Sequence, residues 1–148
     1  YFEREEFSDF KKLLPQYFSV KKGFYHYWHM ADTNYRDYLK GDMVWAKKYL
    51  YVIRPLLAAK WIREKQCPPP MLFSELVDSM LEKELVPVVN NLLELKKVLK
   101  EREEVPKIQV LNDYIEISME NVKKWADEAP KDNRSWKDLN EFFLKLLL

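Results

Sequence analysis

Residues 43–64 read MVWAKKYLYVIRPLLAAKWIRE, and this stretch decides the fold. At 100° per residue, Lys47, Tyr51, Arg54, Ala58, Trp61 and Lys65 fall within about 40° of one line, with Lys48 roughly 100° away. The other faces carry Val44, Leu50, Val52, Ile53, Leu56, Leu57, Ala59 and Ile62. A helix that is apolar nearly all round belongs at the centre of a fold. It can hold Lys47 and Arg54 only if they reach water, an acidic partner or an anionic ligand, because an unpaired buried charge is costly. Pro55 has no N–H for the Tyr51 carbonyl, which predicts a kink there. A plainer reading has the Lys and Arg stems packing while their heads reach solvent.

Helical patterns continue outward on both sides. Residues 3–14 carry Phe7, Phe10, Leu13 and Leu14 at helical spacing and stop at Pro15. Ser19 is placed to cap a second helix reaching Leu39, with Gly41 as its stop and Asp42 as the next cap. Beyond residue 64, Pro68-Pro69-Pro70 forces an extended break. Residues 74–81 and 84–103 then read as helices, the second with Pro87 in its first turn. Residues 112–129 follow with Tyr114, Ile115, Met119, Val122 and Trp125 along one side, and Asn133 or Ser135 caps a last helix. Residues 108–110 are the one strand candidate. The expectation is an all-α fold, a single domain over residues 1–148 with about six to eight helices around the central one.

Composition excludes several classes. Gly23 and Gly41 are the only glycines, against an average usage of about 7%. That removes Gly-rich phosphate loops, the dinucleotide fingerprint and the Walker A motif together. Aromatic residues reach 15% of the 148 positions, enough for a bulky core. One cysteine, Cys67, makes no internal disulfide, which favours a reducing compartment or leaves a lone thiol, and a cytoplasmic location is expected. No apolar run is long enough for a membrane span. The opening Tyr1-Phe2-Glu3-Arg4-Glu5-Glu6 has neither an initiator Met nor a signal pattern, as expected of a piece of a longer protein.

Net charge is +1, but its distribution is uneven. Residues 11–65 hold twelve Lys and Arg against four acids, Asp32, Asp37, Asp42 and Glu64. Such asymmetry suits an anionic partner, or a basic face matched by acidic helices of the same fold. His26 and His29 share a helix face, but no Glu-x-x-His or Asp-x-Asp pattern accompanies them, so packing suits them better than metal. Neither has an Arg four to six residues before it, as a helical nuclease would need. The run Glu101-Arg102-Glu103-Glu104 reads as a solvated helix end.

Several blocks resemble one family in order and spacing. They are Tyr17-Phe18-Ser19 with Lys21-Lys22, His26-Tyr27, Met30-Ala31 and Asn34-Tyr35-Arg36-Asp37-Tyr38-Leu39. The most specific is Lys47-Lys48-Tyr49-Leu50-Tyr51-Val52-Ile53-Arg54-Pro55-Leu56-Leu57-Ala58-Ala59 with Trp61-Ile62. Pro68-Pro69-Pro70 before Phe73, and Val110-Leu111-Asn112-Asp113-Tyr114-Ile115, continue it over roughly residues 7–120. The family is the nucleotidyltransferases of the DNA polymerase beta superfamily associated with RNA repair.

The resemblance implies a parent enzyme that transfers a nucleotide from a nucleoside triphosphate (NTP), with Mg²⁺ spanning the phosphates. The palm signature and metal-binding Asp residues of that family are absent here, so this chain corresponds to the helical C-terminal part. It is expected to need no cofactor of its own and to be inactive alone. Its implied partners are its own catalytic palm, an NTP and RNA. Lys47 and Lys48 would meet phosphate oxygens, Arg54 would clamp them with its planar fork, and Tyr51 would hydrogen-bond or stack. A non-catalytic interaction or oligomerisation module is the competing reading.

Overall fold

A computed structural model describes residues 4–148, which form α1 (Glu5–Leu13), α2 (Val20–Tyr38), β1 (Met43–Trp45), α3 (Lys48–Lys65), α4 (Phe73–Met80), α5 (Val86–Lys96), β2 (Glu104–Pro106), α6 (Gln109–Glu128) and α7 (Lys137–Leu147). Short 3₁₀ turns cover Leu14–Tyr17 and Lys83–Leu85. The described chain is therefore mostly α, with one small antiparallel sheet. It divides into two compact units, Val20–Ala129 and a smaller one made of residues up to Ser19 together with Pro130–Leu148. No helix among the described residues is long and apolar enough to cross a membrane.

In the larger unit α3 is central. Tyr49, Leu50, Val52, Ile53, Leu56, Leu57, Ala58, Ala59 and Ile62 are all buried, and so is Pro55, through which the helix runs continuously. It packs chiefly against α2, and also against α6 and α4. Burying each Leu or Ile contributes about 1.5–3 kcal/mol, so this one element supplies much of the core's driving force. Gln66 ends it in the left-handed region (φ 57°, ψ 30°). There its backbone N–H donates to the Ile62 carbonyl at 2.9 Å, and its Nε2 donates to the Ile62 and Arg63 carbonyls, both at 3.2 Å, which caps the last turn.

Three boundaries differ from the sequence expectation, and two of them have one cause. Residues 43–45 are a strand instead of a first helical turn, because Met43, Val44 and Trp45 pair with Pro106, Val105 and Glu104. The helix expected to reach Glu103 ends at Lys96, which frees residues 97–103 to turn back into that ladder. Ala46 N–H to the Glu103 carbonyl (3.2 Å) and Lys107 N–H to the Asp42 carbonyl (2.9 Å) extend the pairing at both ends. The strand expected at 108–110 does not form: Ile108 is the extended residue before α6, and Gln109 and Val110 begin that helix.

That earlier start puts Asn112 inside α6, where it is buried at 2% exposure. Its Oδ1 accepts from Tyr49 Oη at 2.5 Å, and its Nδ2 donates to the Leu39 carbonyl at 2.8 Å. Tyr49 Oη also accepts from Ile108 N–H at 2.8 Å. Tyr35 Oη, 3.5 Å from Asn112 Nδ2, donates to Glu116 Oε1 at 2.5 Å. This network joins the end of α2, the start of α3 and the start of α6. Burial and the bond to Glu116 push the Tyr35 phenol up to about 12.

The smaller unit is an aromatic cluster between α1 and α7. Phe10 stacks on Phe142 at 5.7 Å between centroids, and Tyr17 stacks on Trp136 at 5.2 Å. Tyr17 Oη accepts from Leu139 N–H at 3.1 Å, and Arg134 donates to the Phe18 carbonyl at 3.0 Å. The expected helix start at Glu3 lies outside the described residues.

Candidate nucleotide-binding face

The β1–β2 ladder positions the site. By pinning Glu103 to Ala46, it lays the 97–103 turn beside the first turn of α3. The first turn carries Lys47, Lys48 and Tyr51, with Arg54 one turn further on. Residues three and four apart on a helix are neighbours, roughly 5–6 Å between Cβ atoms, so Tyr51 adjoins Lys47, Lys48 and Arg54 in turn, while Lys48 and Arg54 flank it on either side.

Lys48 is held in place. Its Nζ donates to Asn34 Oδ1 of α2 at 3.3 Å, and lies 4.3 Å from the Tyr38 ring centroid and 4.8 Å from that of Tyr51. Tyr38 in turn stacks on Trp45 at 4.6 Å, and Arg102 covers Trp45 at 5.6 Å. The order Lys48, Tyr38, Trp45, Arg102 is a ladder of two rings capped by a cation at each end. Each such cation–ring contact contributes about 0.5–1 kcal/mol at exposed positions.

Lys47 and Tyr51 meet an acid. Lys47 Nζ is 3.4 Å from Glu101 Oε2, and Tyr51 Oη donates to Glu101 Oε1 at 3.0 Å. The Tyr51 hydroxyl first, and then Lys47 and Lys48, hold the Glu101 carboxyl below its ordinary range. The same bond pushes the Tyr51 phenol up. Arg54 is exposed, and one of its five N–H donors goes to the Met71 carbonyl. Its charge lies near Tyr27 of α2 and partly offsets the upward push that burial gives that phenol.

The structure thus brings Lys47, Lys48 and Tyr51 together, with Arg54 exposed one turn further along the helix on the Met71 carbonyl. It adds five residues that sequence reasoning missed: Asn34, Tyr38, Trp45, Glu101 and Arg102. The available signal was Val105-Pro106-Lys107-Ile108 after the acidic run, which reads as an extended connector; its pairing with residues 43–45 is what the sequence does not show. Other basic groups are matched internally. Lys60 pairs with Glu82 at 3.1 Å, and Lys21 donates to the Ala126 and Ala129 carbonyls at 2.8 and 2.9 Å. His26 and His29 are exposed on α2, their rings against Tyr27 and against Tyr25 and Trp28. Among the described residues no three His, Cys, Asp or Glu side chains come together to hold a metal ion.

The sequence profile of the RNA repair pathway DNA polymerase beta family matches residues 1–145. The chain belongs to that family. A protein of Bacillus subtilis (strain 168) named "Uncharacterized protein YcgL" is 36% identical over 139 residues, covering 93% of this chain and 52% of that protein. This member of the RNA repair pathway family therefore spans about half the length of that curated relative. No solved structure matches the chain significantly.

Proposed function

We propose that this chain is the helical nucleotide-binding part of a nucleotidyltransferase, and that Lys47, Lys48, Tyr51 and Arg54 hold the triphosphate of an NTP for transfer to an acceptor such as RNA. Family membership supports the reaction class. The observation that carries the site is Lys48, whose half-buried ammonium is fixed between two rings and an amide oxygen. A cation ordered before the ligand arrives loses less entropy on binding.

The roles follow from side-chain chemistry. Lys48 meets a phosphate oxygen as a point charge, while the planar Arg54 fork engages two oxygens at once. Lys47 and the Tyr51 hydroxyl supply donors to a neighbouring phosphate. Magnesium and the reacting groups belong, in this reading, to the catalytic palm of a longer parent, and no step is routed through a metal on this chain.

Chemical-shift mapping tests it. Titrating the ¹⁵N-labelled chain with ATP should move the amides of residues 45–54 and leave those of α7 in place. Shifts confined to α1 and α7, or none, would reject the site. The pairing of Lys47 with Glu101 favours the second reading, an interaction module whose basic face is neutralised from within, and that reading expects no ATP-dependent shifts.

A further inference from the structure

Two of the four groups assigned to phosphate already have an anion on them. The Glu101 carboxylate spans them with both oxygens, Oε1 on the Tyr51 hydroxyl at 3.0 Å and Oε2 toward the Lys47 ammonium at 3.4 Å. A tyrosine hydroxyl has a single proton to donate, so it serves this carboxylate or a phosphate oxygen, never both.

The carboxylate is the open side of this pair. Its side chain is 58% exposed against 14% for Lys47, so Glu101 can swing into solvent while the ammonium stays in place. An exposed ion pair is typically worth about 0.2–1 kcal/mol, and the partly buried Lys47 puts this one toward the upper end. The turn that carries it is anchored on either side. Leu99 N–H donates to the Leu95 carbonyl at 2.9 Å, Lys100 N–H to Glu103 Oε2 at 3.0 Å, and Ala46 N–H to the Glu103 carbonyl at 3.2 Å. Rotation of the Glu101 side chain alone therefore clears both donors while the backbone stays in register. A structural salt bridge of the core would bury both partners; here only Lys47 is largely covered, and the acid faces solvent.

We infer that Glu101 is the resting counterion of the phosphate-binding face, occupying Lys47 and Tyr51 until a polyphosphate displaces it. The inference rests on the reading of this face as a nucleotide site. It also bears on what the site accepts. A singly charged anion that replaces Glu101 exchanges one weak pair for another and gains little. A triphosphate replaces it and reaches Lys48 and Arg54 in the same step, so the displaced carboxylate acts as a threshold that favours polyphosphates.

The test is calorimetric titration of the 148-residue chain with inorganic tripolyphosphate, comparing wild type, Glu101→Gln, Glu104→Gln and Arg54→Ala. Glu101→Gln should tighten binding roughly two- to fivefold, the range expected from removing one exposed ion pair. Glu104→Gln removes the same charge close by without touching Lys47 or Tyr51, and should change binding by less than half as much. Arg54→Ala should weaken binding. If Arg54→Ala weakens binding but Glu101→Gln leaves it equal or weaker, the counterion role is wrong and the nucleotide site stands. If Glu104→Gln tightens binding as much as Glu101→Gln, a general field replaces the specific contact and the inference is overturned. If Arg54→Ala has no effect, both the site and the inference built on it fall.

Discussion

Replacing Asn112 with Ala should cost about 2–4 kcal/mol, more than any surface change in this chain. The amide holds two buried partners at once, the Tyr49 hydroxyl at 2.5 Å and the Leu39 carbonyl at 2.8 Å. Tyr49 and Leu39 are themselves 0% exposed, so neither lost bond is replaced by bulk water. Leaving a buried donor or acceptor unsatisfied costs about 1–3 kcal/mol each, and Tyr49 keeps part of its satisfaction through Ile108 N–H. With roughly 2–4 °C per kcal/mol for chains near this size, the melting temperature should fall by about 5–15 °C. Asn112→Asp sharpens the test. It keeps the acceptor for Tyr49 but sets a carboxylate against the Leu39 carbonyl, which raises its folded pKa. A raised carboxyl pKa means the folded state holds a proton the unfolded chain has lost, so this variant should regain stability as pH falls toward 4. Circular dichroism melts of all three proteins at pH 7 and pH 5 provide the measurement. A loss below 1 kcal/mol for Asn112→Ala would refute the claim that this amide ties α2, α3 and α6 together.

Two further outcomes follow from the same unit. The folded Tyr35 phenol keeps its proton up to about 12, against 10.0 for an unperturbed tyrosine. Its contribution is therefore complete below pH 10 and lost as pH rises toward 12; Tyr35→Phe should flatten part of that decline in urea titrations at pH 9, 10.5 and 11.5. Lys21→Met should destabilise by about 1–2 kcal/mol, because Lys21 Nζ serves the Ala126 and Ala129 carbonyls at the end of α6. Hydrogen exchange should show the last turn of α6 losing protection before the rest of that helix does.

The central helix was legible because its signal is long. Ten buried positions of α3 fall within eighteen residues, and no competing period explains so continuous an apolar run. The strands were not legible, since three residues each carry no period, and Met43–Trp45 reads equally as the start of the helix behind it. Their pairing joins positions about sixty residues apart, and although Val105-Pro106 marks an extended segment, nothing local says what it pairs with. The role of Asn112 was hidden for a related reason. The sequence places it at the start of a helix, and only the tertiary neighbours Tyr49 and Leu39 reveal a buried amide. Within the site, the cations were legible as charges on an apolar helix. Glu101 was hidden because its role depends on the very ladder that the sequence conceals.

The central claim is that Arg54 and its neighbours bind phosphate groups. Its most direct test measures two quantities on one pair of variants, ATP affinity and melting temperature. A charge-assisted contact is worth about 1.5–3 kcal/mol, so Arg54→Ala should weaken ATP binding roughly ten- to a hundredfold. Arg54→Lys should recover only part of that, lacking the bidentate fork. Both variants should melt within a few degrees of the wild type, because Arg54 is exposed and its bond to the Met71 carbonyl lies at the surface. A melting temperature that drops while ATP affinity holds in the folded fraction would contradict the account and make the basic face scaffolding.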